Sequence, residues 1–315
     1  MECGDFLAFI IKEKQECRRV KVLNFGSLNI DYVYQVESIL IPGETQASKA
    51  RQIFCGGKGL NQSIALAKAG IPVYHAGMIG DGGEILLETC KENGVNTEFI
   101  RKIAGPCGHT VIQVDKDGQN CILLFGGANR SITCEFVDEV LSTFDKGDII
   151  LLQNEINELD YIIERAYEKG MMIILNPSPY DDRLKSCDMS KVSLFLVNEI
   201  EGYQLTGEKE PEKILAAVKE KYPSAKIVLT LGGDGSVYQD ETGMYHQGIF
   251  KVRAVDTTAA GDTFTGYFIS SIIDGMPVQE GLEMAAKASA IAVSRPGATA
   301  SIPLKQEVLD SNLQV

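Results

Sequence analysis

Asp256-Thr-Thr-Ala-Ala-Gly-Asp-Thr-Phe-Thr-Gly266 is the stretch on which the reading of this chain turns. Ahead of it, Phe250, Val252 and Ala254 alternate as a strand does. Behind it, Phe264, Phe268 and Ile272 recur on one face of a helix. Small residues therefore stand where a strand is expected to hand over to a helix. Such a handover aims backbone N–H groups and the positive end of a helix dipole at one spot, which makes an anion site. Asp262 falls in the first turn of the same helix. An anion hole beside a carboxylate suits phosphoryl transfer. The amides hold the charge that builds on the phosphate, and the carboxylate takes a proton from the attacking hydroxyl.

Working outward, short apolar runs alternate with helical patterns from Val20 onward. Val22-Leu-Asn-Phe25 and residues 73–78 read as strands, and residues 59–68 and 84–92 as helices, each stopped by a glycine, Gly70 and Gly94. Later runs are continuous and aliphatic: Asp148-Ile-Ile-Leu-Leu152, Met171-Met-Ile-Ile-Leu175, Leu194-Phe-Leu-Val197 and Ile227-Val-Leu-Thr230. Runs of that kind mark strands buried on both faces of a parallel sheet. The expected fold is a doubly wound α/β body with a mostly parallel central sheet, flanking helices, and ligands at the carboxyl ends of the strands. Two segments break the alternation, about 31–54 and 108–127. The second carries Asp117-Gly118 between two strand-like runs, a hairpin signal. Together they predict a small antiparallel β lid standing off the body. Residues 1–19 read as an N-terminal appendage to a single domain over 20–315.

Composition narrows the function. A net charge of −13 argues against a nucleic-acid partner, which needs a basic footprint. The apolar fraction of 44% supports a full core, yet runs such as Ile149-Ile-Leu-Leu152 fall far short of the roughly 20 residues of a membrane span. The short Phe6-Leu-Ala-Phe-Ile-Ile11 has acidic flanks, unlike a signal peptide. Eight cysteines show no Cys-x-x-Cys pair, and there are three histidines. That predicts reduced thiols, a cytoplasmic setting and no transition-metal site.

Three further clusters follow strand ends. Cys55-Gly-Gly-Lys-Gly-Leu-Asn61 opens a helix, with Lys58 and Asn61 suited to polyol hydroxyls; the Walker A spacing is absent. Asn29 and Asp31, in Gly26-Ser-Leu-Asn-Ile-Asp31, either bind two sugar hydroxyls or form a turn. Asn198 and Glu201 share a helix face, where a carboxylate could hold the water shell of Mg²⁺, or where the pair simply caps a helix. Thr230-Leu-Gly-Gly-Asp-Gly235 is either a nucleotide-facing turn or a plain one.

The pair Gly56-Gly-Lys-Gly-Leu-Asn61 and Asp256-Thr-Thr-Ala-Ala-Gly-Asp262 resembles the two signatures of the ribokinase-like sugar kinases. Asn29-x-Asp31, Gly126-Gly-Ala-Asn129, Asn176-Pro177, Asn198-x-x-Glu201 and Thr230-Leu-Gly232 fall between them in the family's order, so the likeness runs from about residue 20 to the C-terminus. The resemblance implies ATP-dependent transfer to the primary hydroxyl of a pentose, with D-ribose the leading candidate. It implies that Asp262 is the base and that Ala259, Ala260 and Gly261 supply the anion-hole amides. Asn29, Asp31, Gly57, Lys58, Asn61 and Glu155 correspond to the sugar-contacting set. Asn198, Thr230, Gly232, Gly235 and Gly261 correspond to the ATP-contacting set, with Ala286 near the adenine. Asn198 and Glu201 correspond to the motif that organises Mg²⁺, Glu201 through water. Asp256, Thr258, Ala292, Arg295, Gly297 and Ser301 correspond to a K⁺ site; Pro296 and the short Gly80-Asp-Gly-Gly-Glu84 depart from the commoner pattern. The family also implies a homodimer formed through the lid.

Other readings stay open at this point. The acceptor could be deoxyribose, a ketohexose, adenosine or pseudouridine, although Asn29, Asp31, Lys58 and Asn61 favour a small polyol. A sensor that binds sugar or nucleotide without catalysis is a second class. A nicotinamide dehydrogenase needs Gly-x-Gly-x-x-Gly after the first strand, where this chain has Gly26-Ser-Leu-Asn-Ile-Asp31.

Overall fold

The aliphatic run 149–152 divides its side chains between two cores. Ile149 and Leu151 enter one buried cluster, Ile150 and Leu152 the other. That alternation is what a strand with helices on both faces requires. The computed structural model describes residues 20–314. The expected appendage at 1–19, with Cys3 and Cys17, lies outside the described residues.

In chain order the strands are β1 (Val22–Phe25), β2 (Asn29–Gln35), β3 (Ala50–Gly56), β4 (Val73–Asp81), β5 (Asn96–Pro106), β6 (Gly108–Val114), β7 (Asn120–Phe125), β8 (Ile149–Gln153), β9 (Met172–Asn176), β10 (Leu194–Asn198), β11 (Lys226–Thr230), β12 (Ser236–Gln239) and β13 (Met244–Gln247). The helices are α1 (Lys58–Lys68), α2 (Glu84–Glu92), α3 (Cys134–Leu141), α4 (Leu159–Glu168), α5 (Glu199–Thr206), α6 (Pro211–Lys221), α7 (Ala260–Ile273), α8 (Val278–Val293) and α9 (Lys305–Leu309).

Nine strands form the main sheet in the order β13-β12-β11-β10-β9-β8-β1-β4-β5. All its pairings are parallel except the antiparallel edge β11-β12-β13. One face carries α1, α2, α7, α8 and α9 through residues such as Leu60, Ile64, Phe264, Tyr267 and Leu282. The other carries α3 to α6 through Phe136, Ile162, Leu205 and Ile214. The strand order reverses at β1, between β4 and β8. The crevice at the carboxyl ends of such a switch is where ligands bind in open α/β sheets.

The two segments expected to form a lid do pair into one small sheet, ordered β3-β2-β6-β7. Each hairpin is antiparallel as expected. The hairpins themselves meet through a parallel pair, β2 with β6, in register from Asn29–Gly108 to Gln35–Val114. Both central strands leave the body at its carboxyl-end rim, so they run outward side by side.

One expectation fails. Residues 250–254 are not a strand. Phe250 is buried, but the segment has no partner strand among the described residues. Instead its backbone is tied elsewhere: Lys251 N donates to Gln314 O, and the N–H groups of Val255 and Asp256 both donate to Val293 O at the end of α8. The approach to α7 is therefore a loop strapped to a helix end.

Candidate active site

The turn before α7 sets its N-terminus. Ala259 precedes the helix in the left-handed region, at φ 60° and ψ 10°. A non-glycine residue there is strained by about 1–2 kcal/mol, a strain that clusters at functional sites. Ala260 N donates back to Thr257 O at 3.2 Å, which closes the turn. Of the three residues expected to form the hole, Ala260 thus has its N–H turned inward. Gly261 and Asp262 head the helix, where N–H groups have no intrahelical acceptor. A Cβ on Gly261 would meet no atom within 4 Å, so the space over this helix end is open.

That space is a cavity of about 240 Å³. Lys58, Asn198, Glu201 and Thr230 line it together with Ala259, Ala260, Gly261 and Asp262. Residues from the two ends of the sequence signature pair therefore meet at one place, on α1 and α7, which pack against each other. Gly266 permits that packing, since a Cβ there would lie 2.4 Å from the Ala65 methyl.

Asp262 is 8% exposed and gripped from one helix. Asn61 Nδ2 donates to its Oδ2 at 2.9 Å, and Gln62 Nε2 donates to its Oδ1 at 2.9 Å. Asn61 Oδ1 is buried with no partner among the described residues, an acceptor suited to a ligand hydroxyl. Burial of the Lys58 ammonium works against its charge. The carboxylates of Asp262, Glu155 and Glu201 outweigh that and hold its pKa above the ordinary value. Burial pushes the Glu155 carboxyl up, against the lowering effects of Lys58, the Ser27 hydroxyl and the Lys58 backbone N–H. Glu155 Oε2 accepts from Lys58 N at 3.0 Å and from Ser27 Oγ. Gly57, at φ 93°, lets the chain turn into α1.

Asn29 and Asp31 start the central lid strand β2. Asn129, 1% exposed, donates to Asn29 Oδ1 at 2.7 Å and accepts from Leu28 N at 3.0 Å. Thr110 Oγ1 donates to Asp31 Oδ1 at 2.6 Å. Gly56, in register with Asn29 on β3, leaves room for this carboxylate, since a Cβ there would fall 1.9 Å from Asp31 Oδ2. Burial raises the Asp31 pKa from 3.8 to about 6; the Thr110 bond offsets part of this and Glu155 adds to it.

At the far end, Asn198 and Glu201 cap the start of α5. Asn198 Oδ1 accepts from Glu201 N at 2.9 Å and Glu201 Oε2 accepts from Asn198 N at 3.1 Å, a complete capping box. Both side chains also line the cavity. Gly232 and Gly235 lie in the turn after β11, outside the cavity lining. Gly235 has a packing reason to be glycine, since a Cβ would sit 2.0 Å from Gln247 O. Ala286 lies on α8, partly buried against the core, and is not among the lining residues.

The K⁺-site positions divide. Asp256 Oδ1 accepts from Thr258 N and its Oδ2 from Gly297 N, each at 2.9 Å, so one carboxylate ties the two loops together. Ser301 is fully buried and donates to Ala298 O at 2.8 Å. The Arg295 side chain turns away to pair with Glu307 at 2.8 Å, and Ala292 O already accepts from Arg295 N. Only the Arg295 backbone remains on the loop.

Two residues escaped the sequence reading in their roles. Gln62 was passed over beside Asn61, although three polar residues in a row, Asn61-Gln-Ser63, on a helix bound for the core were a signal. Asn176 was seen only as a landmark. It lines the cavity and donates to Leu196 O at 2.8 Å.

An amide-headed helix, a gripped carboxylate and a half-buried lysine around one cavity are what phosphoryl transfer requires, here on a doubly wound fold. The chain matches the pfkB family of carbohydrate kinases over residues 20–305, and it belongs to that family. The relatives include ribokinases. It is 33% identical over 299 residues to ribokinase of Staphylococcus aureus, spanning 91% of this chain and 98% of that protein. It is 34% identical over 310 residues to ribokinase of Schizosaccharomyces pombe, spanning 92% and 96%. The structure of Arabidopsis thaliana ribokinase complexed with ribose and ATP superposes with a TM-score of 0.82 at 29% identity, covering 92% of this chain and 97% of that one.

Proposed function

We propose that this chain phosphorylates D-ribose with ATP, giving ribose 5-phosphate and ADP. The observation that carries the reading is the position of Asp262. It stands at the N-terminus of α7, gripped by Asn61 and Gln62, on a cavity whose open side is headed by backbone amides. In this reading Asp262 takes the proton of the attacking primary hydroxyl, while the α7 N-terminus and Lys58 stabilise the charge on the transferring phosphoryl group. Asn29, Asp31, Gly57, Asn61 and Glu155 hold the sugar hydroxyls. Thr230, Asn198 and the turn containing Gly232 and Gly235 face the nucleotide, with Ala286 toward its base. The Arabidopsis ribokinase that binds ribose and ATP supports this assignment through its shared fold and identity.

Mg²⁺ takes few direct protein ligands and keeps several waters. Glu201, 6% exposed and lining the cavity, would hold that water shell and so place the cation against the phosphates. A monovalent cation such as K⁺ fits the loops joined by Asp256, among Asp256, Thr258, Gly297 and Ser301. It would stiffen the turn that leads into the anion hole. The edge strands of the lid expose Ile53 and Phe54 on β3 and Ile122, Leu123 and Phe125 on β7, with Leu123 70% exposed. Exposed apolar side chains on both unpaired edges of this sheet suit a second copy of the same chain, in a homodimer through the lid. The six cysteines among the described residues are all free thiols, which supports a reducing, cytoplasmic setting.

A coupled ADP-release assay over pentoses, hexoses and nucleosides, with and without K⁺, tests the reading. D-ribose is expected to give the highest kcat/KM and K⁺ to raise it. A preference for a nucleoside, or no ADP release with any sugar, would overturn it.

A further inference from the structure

Gln62 is fully buried on α1, and every hydrogen-bonding atom of its side chain is engaged. Nε2 donates to Asp262 Oδ1 at 2.9 Å and to Asn176 Oδ1 at 3.3 Å. Oε1 accepts from Gln153 Nε2 at 2.6 Å. Gln153, also fully buried, donates to Asn24 Oδ1 at 3.0 Å, and Asn24 donates to Gly59 O and Ser63 Oγ at 2.7 and 2.8 Å. The chain of amides thus runs from the middle of the sheet, through β1 and β8, to the carboxylate. It also fixes which way the Gln62 amide faces. Reversed, it would set Oε1 against the Asp262 carboxylate and Nε2 against the Gln153 amide.

A buried glutamine costs desolvation that an apolar residue on the same helix would avoid, so its retention calls for a use. The final torsion of an aspartate is soft and broad, so the carboxylate plane is set by whatever bonds to it. Here the two oxygens are held by adjacent residues of one helix, Asn61 on Oδ2 and Gln62 on Oδ1. Gln62 reaches further. Asn176, its second acceptor, donates toward Glu201 Oε2 at 3.4 Å.

We propose that Gln62 is a positioning residue that fixes the plane of the Asp262 carboxylate against the phosphate end of the cavity, with Gln153 and Asn24 locking the amide. This rests on the reading of Asp262 as the base. The charged groups facing Asp262 are Lys58, Glu155 and Glu201, and none of them bonds Oδ1 in its place.

The test uses the full chain carrying Gln62→Met, Gln153→Met or Asp262→Asn, assayed for ADP release with D-ribose. Ribose-induced thermal stabilisation is followed in parallel. In Gln62→Met, kcat is expected to fall about 10–100-fold with the sugar KM within about threefold. Gln153→Met should do the same more weakly, and both should keep the ribose-induced shift. A merely structural role would instead lower the ribose-induced stabilisation and raise the sugar KM together with the loss of kcat. Wild-type kcat in Gln62→Met, with Asp262→Asn inactive, would overturn the positioning role alone. If Gln62→Met lacks a cooperative unfolding transition, a folded Gln153→Met with an unmoved kcat overturns it instead. Near-full turnover in Asp262→Asn would remove the base and with it the inference.

Discussion

Two residues carry consequences that single substitutions can read. Gly261 has no atom within 4 Å of where a Cβ would be, so Gly261→Ala inserts its methyl into the cavity and not into the protein. Folding should be untouched, or slightly favoured through the unfolded state. Turnover should fall about 10–100-fold as the methyl displaces the phosphoryl group from the helix amides. Thermal melts beside steady-state ADP release check both halves, and a loss of melting temperature in step with activity would contradict the assignment. Asp31 gives a pH signature. Its pKa rises from 3.8 to about 6 on folding, chiefly through burial. Between about pH 4 and 6 the folded chain holds a proton that the unfolded chain has released, so stability falls as pH rises across that window. The full effect is on the order of 3 kcal/mol. Urea unfolding at several pH values should show that slope, and Asp31→Asn should flatten it.

At the scale of elements, the lid is a pair of hairpins joined by the parallel strands β2 and β6, and its rigid mooring is Asn129. That side chain leaves a short 3₁₀ turn to hold both Leu28 N and Asn29 Oδ1. Asn129→Ala should therefore raise the sugar KM about tenfold or more while kcat changes less, because Asn29 is freed but Asp262 is not. Saturation kinetics in ribose decide it, and an unchanged KM would contradict the mooring. What the sequence made legible follows the same physics. Hairpins announced themselves through local turn chemistry at Asp117-Gly118, and β8 to β11 through apolar runs buried on both faces. The parallel pairing of β2 with β6 is set by where both strands leave the body, more than 70 residues apart, and no local pattern encodes it. Phe250, Val252 and Ala254 alternate as a strand would, yet pair with no strand among the described residues, while the backbone just after them, at Val255 and Asp256, is bound to Val293 O. The polar run Asn61-Gln-Ser63 marks Gln62 as unusual on a core-bound helix, but its role lies in tertiary partners that no local pattern encodes.

Across the whole molecule, the main sheet brings α1 and α7, nearly 200 residues apart in the chain, to one crevice. Both glycine motifs that suggested chemistry in the sequence sit at helix N-termini there, and the fold exists at this point to hold them face to face. In the proposed function, Lys58, Asn61 and Asp262 stand where the sugar half and the phosphate half of the site meet. The account stands or falls on the last of these. Steady-state ADP release with saturating D-ribose and ATP, comparing the native chain with Asp262→Asn, is the direct measurement. The amide is isosteric and can still accept from Asn61 or Gln62, so the fold should survive. The expected result is ribose-dependent ADP release by the native chain and a loss of kcat of about 10²–10⁴ in the variant. A variant within a few-fold of native turnover, or a native chain that releases no ADP with ribose, would contradict it.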